Sequence, residues 1–493
     1  MRIEDLLKRQ TNNHKLAIKY SDQSISFNEW EIKSSSLSKI ISSIVEDDSK
    51  NIGIYLPNSI DYAVAYFGIL FAHKVVIPIG TQAKYPEIFS TLDYCEIDLL
   101  VTDSKYAEEI VNNSEDYDNK VILYLIDTLE IINLNSEKEY PEKSNFLDFD
   151  GSENDVAIML HTSGTTSNPK RVMLTHKSII SNIESNIESL NLNSDDKVLI
   201  ALPMFFGYCN TAQFLTHLYL GASQVIMNSI FLPKQFFEIV ESEKITNFTA
   251  VPTMLLMLLE YRYAESYDYS SLRLICFGGG KIPINKLKAL IEKYPQIGFV
   301  QTYGQTECSP RVTALLPDDS IKKIGSVGKA IPNVKIKTVS DSNQECGPCQ
   351  IGEIIVSGTN MMKGYYKNIK ATNQTKRDGW LHTGDLGYID NDGYLFISGR
   401  LKSIIISGGI NIYPEEIEQI IYQIDGVNDV VVYGVEDEIL GEAVCADVVG
   451  DTQYISENKI RSYCRKLLAA YKVPKHIRFV SQISKTYNGK NKR

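Results

Sequence analysis

The chain is 493 residues long, with a hydrophobic fraction of 43% and a formal net charge of −11. That length calls for two or more packed units around a sizeable core. The acidic balance excludes a binder of nucleic-acid backbones, which needs a basic face, but leaves room for a small anionic ligand in one locally positive site.

The first residues, Met1-Arg2-Ile3-Glu4-Asp5, carry acids where a secretory signal needs a basic start and an apolar run. A cytoplasmic location is expected. Residues 51–56 read as a strand, 61–71 as a helix and 75–79 as a strand. The apolar stretch 63–78 is short and broken by His73 and Lys74, so it reads as a buried element and not a membrane span. Further on, Val156, Ile158 and Leu160 alternate as in a strand, and Ile180, Ile183, Ile187 and Leu190 recur at helical spacing. Residues 197–202, 248–251, 272–277 and 298–302 are short strand candidates with helices between them. This βαβα rhythm predicts an α/β fold with parallel or mixed sheets and helices on their faces.

Beyond Gly325 the texture becomes glycine-rich, with alternating strands at 334–339, 352–357, 387–389 and 394–397. An antiparallel meander or small distorted β-barrel is expected there. From Ser403 a compact α+β unit follows: Tyr413-Pro414-Glu415-Glu416 starts a helix, with Pro at its first position and acids in its first turn. Strands at 430–435 and 443–449 and a helix at 457–468 complete it. The expected organisation is a large domain over 1–398, a hinge at 399–402 and a small mobile domain over 403–493.

The eight cysteines are scattered and read as ordinary thiols of a cytoplasmic enzyme. Cys346-Gly347-Pro348-Cys349 has redox spacing, but it follows Ser340-Asp341-Ser342-Asn343 and precedes a strand, which makes it a hairpin turn. No second pair completes a zinc site.

Five segments carry chemistry. Thr162-Ser163-Gly164-Thr165-Thr166 is dense in hydroxyl donors, and Lys170 adds a point charge. Read as a loop between a strand and a helix, it can wrap nucleotide phosphates without Walker spacing, or it is a Ser/Thr surface loop. Tyr303-Gly304-Gln305-Thr306-Glu307 follows an apolar strand, where open α/β sheets place ligands. There an aromatic can stack on a base, a hydroxyl can bond a phosphate and a carboxylate can hold Mg²⁺. Trp380-Leu381-His382-Thr383-Gly384-Asp385 offers a carboxylate to ribose hydroxyls. Gly399-Arg400-Leu401-Lys402 and Asn488-Gly489-Lys490 are the fourth and fifth.

In order and spacing these segments resemble the adenylate-forming superfamily of acyl-CoA synthetases, aryl-acid ligases, luciferases and peptide-synthetase adenylation domains. The likeness covers essentially the whole chain, including Ile54-Tyr55-Leu56-Pro57-Asn58-Ser59 and the run 402–414. It implies an AMP-forming ligase that makes an acyl-adenylate from ATP and a carboxylic acid and passes the acyl group to a pantetheine thiol. By this resemblance Thr162, Ser163, Gly164, Thr165, Thr166 and Lys170 hold the pyrophosphate end of ATP. Gly278, Gly279 and Gly280 with Tyr303 and Gly304 enclose the adenine; Thr306 meets the α-phosphate, Glu307 holds Mg²⁺, and Asp385 and Arg400 hold the ribose. Lys490 is the implied catalytic lysine, Lys402 the hinge, and Gly408 and Gly409 line the thiol tunnel. One ammonium placed at the reacting carboxylate and phosphate in a dry site supplies about 3–4 kcal/mol of transition-state stabilisation.

Ser167 and Arg171 stand where the family usually has glycine, which implies altered loop flexibility, and Ser484-Lys485-Thr486-Tyr487-Asn488 replaces a proline-rich approach to Lys490. The acid pocket is expected to draw on Phe205, Phe206, Tyr208, Gln301 and Thr302, although those aromatics serve equally as core residues. No carboxylate lies between Pro203 and Gln213, so an ammonium in the pocket would be unpaired. An uncharged acyl chain or ring is therefore expected. The acceptor is CoA or the phosphopantetheine of a separate carrier protein, since the sequence given stops soon after Lys490. A nucleotide-binding scaffold without activity and transfer to an amine are the readings from other classes.

Overall fold

The computed structural model describes residues 1–45, 50–115, 117–134, 151–161, 170–407, 410–437 and 440–484. Two large sheets form its body. The first runs Gly364–Tyr365, Arg171–Thr175, Val156–His161, Val75–Pro78, Asn51–Ile54, Ile97–Thr102, Val121–Leu125, Glu130–Leu134. It is parallel from Val156–His161 through Val121–Leu125 and antiparallel at both edges. The second runs Lys329–Ala330, Arg311–Leu315, Gly298–Gly304, Leu274–Phe277, Asn247–Ala250, Lys197–Ile200, Ser223–Ile226, Leu16–Tyr20, Gln23–Ser26. Its strands are parallel from Gly298–Gly304 to Leu16–Tyr20. Short runs of Val, Ile, Leu and Phe buried on both faces are what such central strands require.

One continuous core joins the two sheets through the helices Phe27–Ile44, Ile60–Phe71 and His176–Leu190. In Ile60–Phe71 every position except Asp61 is buried. A helix apolar on all sides belongs inside a large protein, and no helix among the described residues is long and apolar enough to cross a membrane. The helix Phe27–Ile44 is started by a capping box, Ser26 bonding the Glu29 amide and Glu29 bonding back. It is anchored by Trp30, whose Nε1 donates to the Ala63 carbonyl at 3.0 Å.

A third, fully antiparallel sheet curls into a half-barrel from Val334–Val339, Gly352–Gly358, Trp380–Ile389, Lys376–Arg377 and Leu395–Arg400. Trp380–Ile389 begins well before the expected 387–389. Its polar Thr383-Gly384-Asp385 and the bulge at Leu386/Gly387 hide the alternation that would have revealed it. Cys346 and Cys349 lie on the hairpin between Val334–Val339 and Gly352–Gly358, both as free thiols.

The fourth sheet, of Ile410–Ile412, Ile405–Ser407, Gly441–Gly450, Val427–Asp437 and His476–Phe479, has a core of its own that includes Ile405, Ile417, Ile421, Val430, Val444 and Ile460. Its helix Pro414–Ile421 packs against Leu395–Arg400, so closely that a Cβ on Gly399 would lie 2.6 Å from the Glu415 carboxylate.

Candidate active site

Three segments far apart in the chain converge on one carboxylate. Trp380–Ile389 and Leu395–Arg400 pair with Asp385 opposite Arg400, which brings Arg400 Nε to 2.7 Å from Asp385 Oδ1. From the end of Gly298–Gly304, the Tyr303 hydroxyl donates to Asp385 Oδ2 at 2.8 Å, and Gln305 Nε2 donates to the same oxygen at 2.7 Å and to the Thr383 carbonyl at 2.9 Å. The Asp385 amide is fixed in turn by Thr383 Oγ1 at 3.0 Å. Burial, reinforced by the Asp385 charge, holds the Tyr303 phenol well above its ordinary range. Arg400 is held still more firmly protonated by Asp385.

The Tyr303–Glu307 turn depends on one glycine. A Cβ on Gly304 would run into the Pro310 carbonyl oxygen, the same atom that accepts the Gln305 amide at 2.9 Å. The short turn Thr306–Cys308 then presents Glu307, whose Oε1 accepts the Tyr365 hydroxyl at 2.8 Å. Lys170 Nζ stands 4.5 Å over the Tyr365 ring. Lys170, over the ring, and Glu307, on the hydroxyl, are thus both brought to one tyrosine. A single carboxylate is the donor set expected where Mg²⁺ keeps its waters and takes the rest of its ligands from phosphates. The residues present fit such an ion.

Behind the turn, Tyr208 Oη and Thr302 Oγ1 are 2.8 Å apart, and Thr302 Oγ1 donates to the Phe277 carbonyl at 3.1 Å. A Cβ on Gly278 would lie 2.7 Å from Thr302 Oγ1 and 3.4 Å from Tyr208 Oη, so only glycine lets these groups approach the strand end this closely. Gly279, with φ at +80°, and Gly280 continue the turn beside Val251 and Pro252.

With these contacts in place, the comparisons with known proteins decide the family. The model described as "AMP-binding enzyme" matches residues 7–366, and that described as "AMP-binding enzyme C-terminal domain" matches residues 416–490. The chain belongs to the AMP-binding enzyme family. YngI of Bacillus subtilis, designated an acyl-CoA synthetase, is 37% identical over 359 residues, which is 72% of this chain and 64% of that protein's length. The 2-succinylbenzoate–CoA ligase of Oceanobacillus iheyensis is 32% identical over 491 residues, 97% of this chain and 95% of its own. Among solved structures, the o-succinylbenzoate CoA synthetase of Bacillus subtilis with its acyl-adenylate intermediate superposes with a TM-score of 0.85 at 29% identity, covering 99% of this chain and 96% of that one. The same enzyme with ATP and magnesium gives 0.85 at 28%, covering 99% and 98%.

Against this family background the expected site residues fall into three groups. Tyr303, Gly304, Asp385 and Arg400 come together, and Thr306 and Glu307 sit on the adjoining turn with Lys170 near them. The expected pocket residues divide. Tyr208 and Thr302 meet, whereas the Phe205 ring lies against Gly80 and 4.2 Å from the Phe206 ring. Strand alternation puts Gln301 on the face opposite Thr302, and its Oε1 is buried without a partner among the described residues. The third group, Thr162 to Thr166, Ser167, Gly408, Gly409 and Lys490, lies outside the described residues.

The segment expected to hold phosphates also has a different setting from the one expected. It joins two antiparallel strands, His161 pairing with Arg171, and not a strand to a helix; the helix His176–Leu190 begins only after Arg171–Thr175. Arg171, expected only to change loop flexibility, is buried and donates to Thr91 Oγ1 at 2.6 Å, tying the strand to the helix Tyr85–Tyr94. Lys402 is exposed on the short turn Leu401–Ser403. Sequence reasoning missed Gln305 as a donor to Asp385, although it lies inside the Tyr303–Glu307 motif, and it missed Tyr365, for which no local signal exists.

Proposed function

We propose that this chain joins a carboxylic acid to coenzyme A at the expense of ATP, releasing AMP and pyrophosphate. A carboxylate oxygen of the acid attacks the α-phosphorus, the bond to the bridging oxygen breaks, and pyrophosphate leaves. The thiol sulfur of CoA then attacks the acyl carbon, AMP leaves with the bonding pair, and the thiol proton passes to solvent. The observation that carries this reading is the convergence of Tyr303, Gln305 and Arg400 on Asp385, with Glu307 and Lys170 flanking Tyr365 beside it.

In this reading Asp385 and Arg400 take the ribose, Gly278–280 and Tyr303 the adenine, Thr306 the α-phosphate, and the 162–170 loop the outgoing pyrophosphate. Glu307 would hold Mg²⁺, which when bound offsets phosphate charge. The division at 399–402 lets the small domain, carrying Lys490, close for adenylation and turn away for thiol transfer, with the dihedral change absorbed around Lys402. That the relatives include CoA ligases supports CoA as acceptor over a carrier protein.

Acid-dependent ATP–pyrophosphate exchange over a panel of carboxylic acids tests the first half. Exchange is expected with some acids, and Lys490→Ala should abolish it while ATP still binds. Mass detection of a thioester after adding CoA, or carrier proteins in parallel, tests the second. Exchange with no acid, or full activity in Lys490→Ala, sinks the mechanism.

A further inference from the structure

The stretch that carries Asp385 is a bulge with a built support. Trp380–Ile389 pairs with Gly352–Gly358 at His382 opposite Ile355 and at Leu386 opposite Glu353. Between those rungs one strand has Ile354 alone, and the other has Thr383, Gly384 and Asp385. In a regular ladder Asp385 would stand opposite Gly352, but Gly387 holds that place. Bulges of this kind re-aim a side chain, and they forgo ladder hydrogen bonds that other groups must replace.

Glu353 supplies the replacement. Its Oε2 accepts from His382 Nδ1 at 2.7 Å, and its Oε1 accepts from the Gly384 amide at 3.1 Å. The carboxylate side chain is 16% exposed and the imidazole 6%, and His382 is the ion-pair partner of Glu353 among the described residues. Gly384 takes a φ of +69°, open to glycine without strain, which turns its amide to the carboxylate. A Cβ there would meet nothing within 4 Å, so that side of the bulge is open. Thr383 Oγ1 donates to the Ile354 carbonyl at 2.6 Å and receives the Asp385 amide at 3.0 Å. Each bulge residue is thus held through a side chain, and the one charged group that holds the backbone from the neighbouring strand is Glu353.

We propose that Glu353 is a positioning residue for the nucleotide: it grips the His382 ring and the Gly384 amide together and so fixes the bulge that turns the Asp385 carboxylate to the ribose hydroxyls. This rests on the reading in which Asp385 takes the ribose. A carboxylate suits the task because each oxygen takes one N–H, and bonds to a charged acceptor are stronger than those to a neutral one. A binding group already held in place removes an ordering cost that binding would otherwise carry. Loss of the grip weakens the bonds to the ribose and leaves those to the base and phosphate.

The test is calorimetric titration with AMP and with its dideoxy analogue, which lacks both ribose hydroxyls. The wild type should bind AMP about 100-fold more tightly than the analogue. In Glu353→Ala that ratio should fall to about 10-fold or less, through weaker binding of AMP with the analogue little changed. Glu353→Gln, whose amide oxygen can keep the Gly384 amide and whose NH₂ can face the His382 ring, should hold the ratio within about three-fold of the wild type. If Glu353→Ala does not fold, Glu353→Asp, too short to reach both partners, is read in its place. A wild-type ratio in the folded variant, including equal losses for AMP and the analogue, overturns the positioning role and leaves the ribose assignment intact. A wild type that binds AMP and the analogue alike overturns both.

Discussion

Replacing Asp385 by Asn is the sharpest probe of the proposed nucleotide site, because its effects on folding and on binding separate. The carboxylate, 6% exposed, accepts from Tyr303 and Gln305 on one oxygen and from Arg400 on the other. A carboxylate offers about four lone-pair positions, so the protein already fills three. Two ribose hydroxyls can be accommodated only if one donor withdraws. Arg400, 54% exposed, is the one that water can compensate. In Asp385→Asn the amide oxygen stays with Tyr303 and Gln305 at least cost, and its NH₂ turns to Arg400. The loss is a half-exposed ion pair plus opposed donors, about 1–2 kcal/mol of stability. Nucleotide binding loses the charge on two hydroxyl hydrogen bonds, at about 1.5 kcal/mol each, or roughly 100-fold in affinity. Urea unfolding measures the first and calorimetric titration with AMP the second. A folded variant that binds AMP within about three-fold of the wild type would refute the reasoning.

Three further outcomes are expected. Gly304→Ala forces the backbone away from the Pro310 carbonyl and breaks the Gln305 amide bond to it, so unfolding should cost about 3 kcal/mol less and exchange should vanish; an unchanged urea midpoint counts against the turn geometry. Glu307→Gln keeps an acceptor for the Tyr365 hydroxyl, so its melting temperature should stay near that of the wild type while magnesium-dependent exchange falls about 100-fold or more. His217, its Nδ1 on the Gln213 carbonyl at 2.7 Å, is pushed from 6.5 down to about 4 by burial. Its neutral form is the folded form, so its contribution is complete above pH 6.5 and is lost as pH falls toward 4, about 2 kcal/mol by pH 5. His217→Gln should flatten that slope between pH 7 and 5 in urea titrations, and an equally steep slope would assign the loss elsewhere.

The parallel body of the fold was readable because its strands are written locally. Leu274–Phe277 and Asn247–Ala250 are short apolar runs between helices, and the expected spans differ from them by two residues or fewer. The site was half readable. Tyr303 and Glu307 sit in one pentapeptide, but the partnership of Asp385 with Arg400 is created by strand register, which no local pattern states. Tyr365 reaches Glu307 because Gly364–Tyr365 pairs with Arg171–Thr175, a contact across nearly two hundred residues of chain. The burial of Arg311 had a signal that went unused: a lone arginine heading the run Val312-Thr313-Ala314-Leu315, between Pro310 and Pro317. A charge in a strand that short and apolar is either on an edge or buried for a reason. The capping box at Ser26 and Glu29 was equally open to inspection.

Among the described residues, unfilled hydrogen-bonding capacity is not confined to Nε of Arg311, a buried charged group. Along the helical stretch that follows Tyr208, Asn210 Nδ2, Thr211 Oγ1, Gln213 Oε1 and His217 Nε2 are also buried without hydrogen-bond partners among the described residues. Three of those side chains are neutral and already bonded at their other end: Asn210 accepts from Tyr66, Gln213 donates to the Leu199 carbonyl, and His217 bonds Gln213. A half-bonded neutral amide costs about 1–3 kcal/mol, which a large core absorbs. A guanidinium whose positive charge is answered only by dipoles costs more than the loss of a hydrogen bond, because desolvation of the ion is added to it.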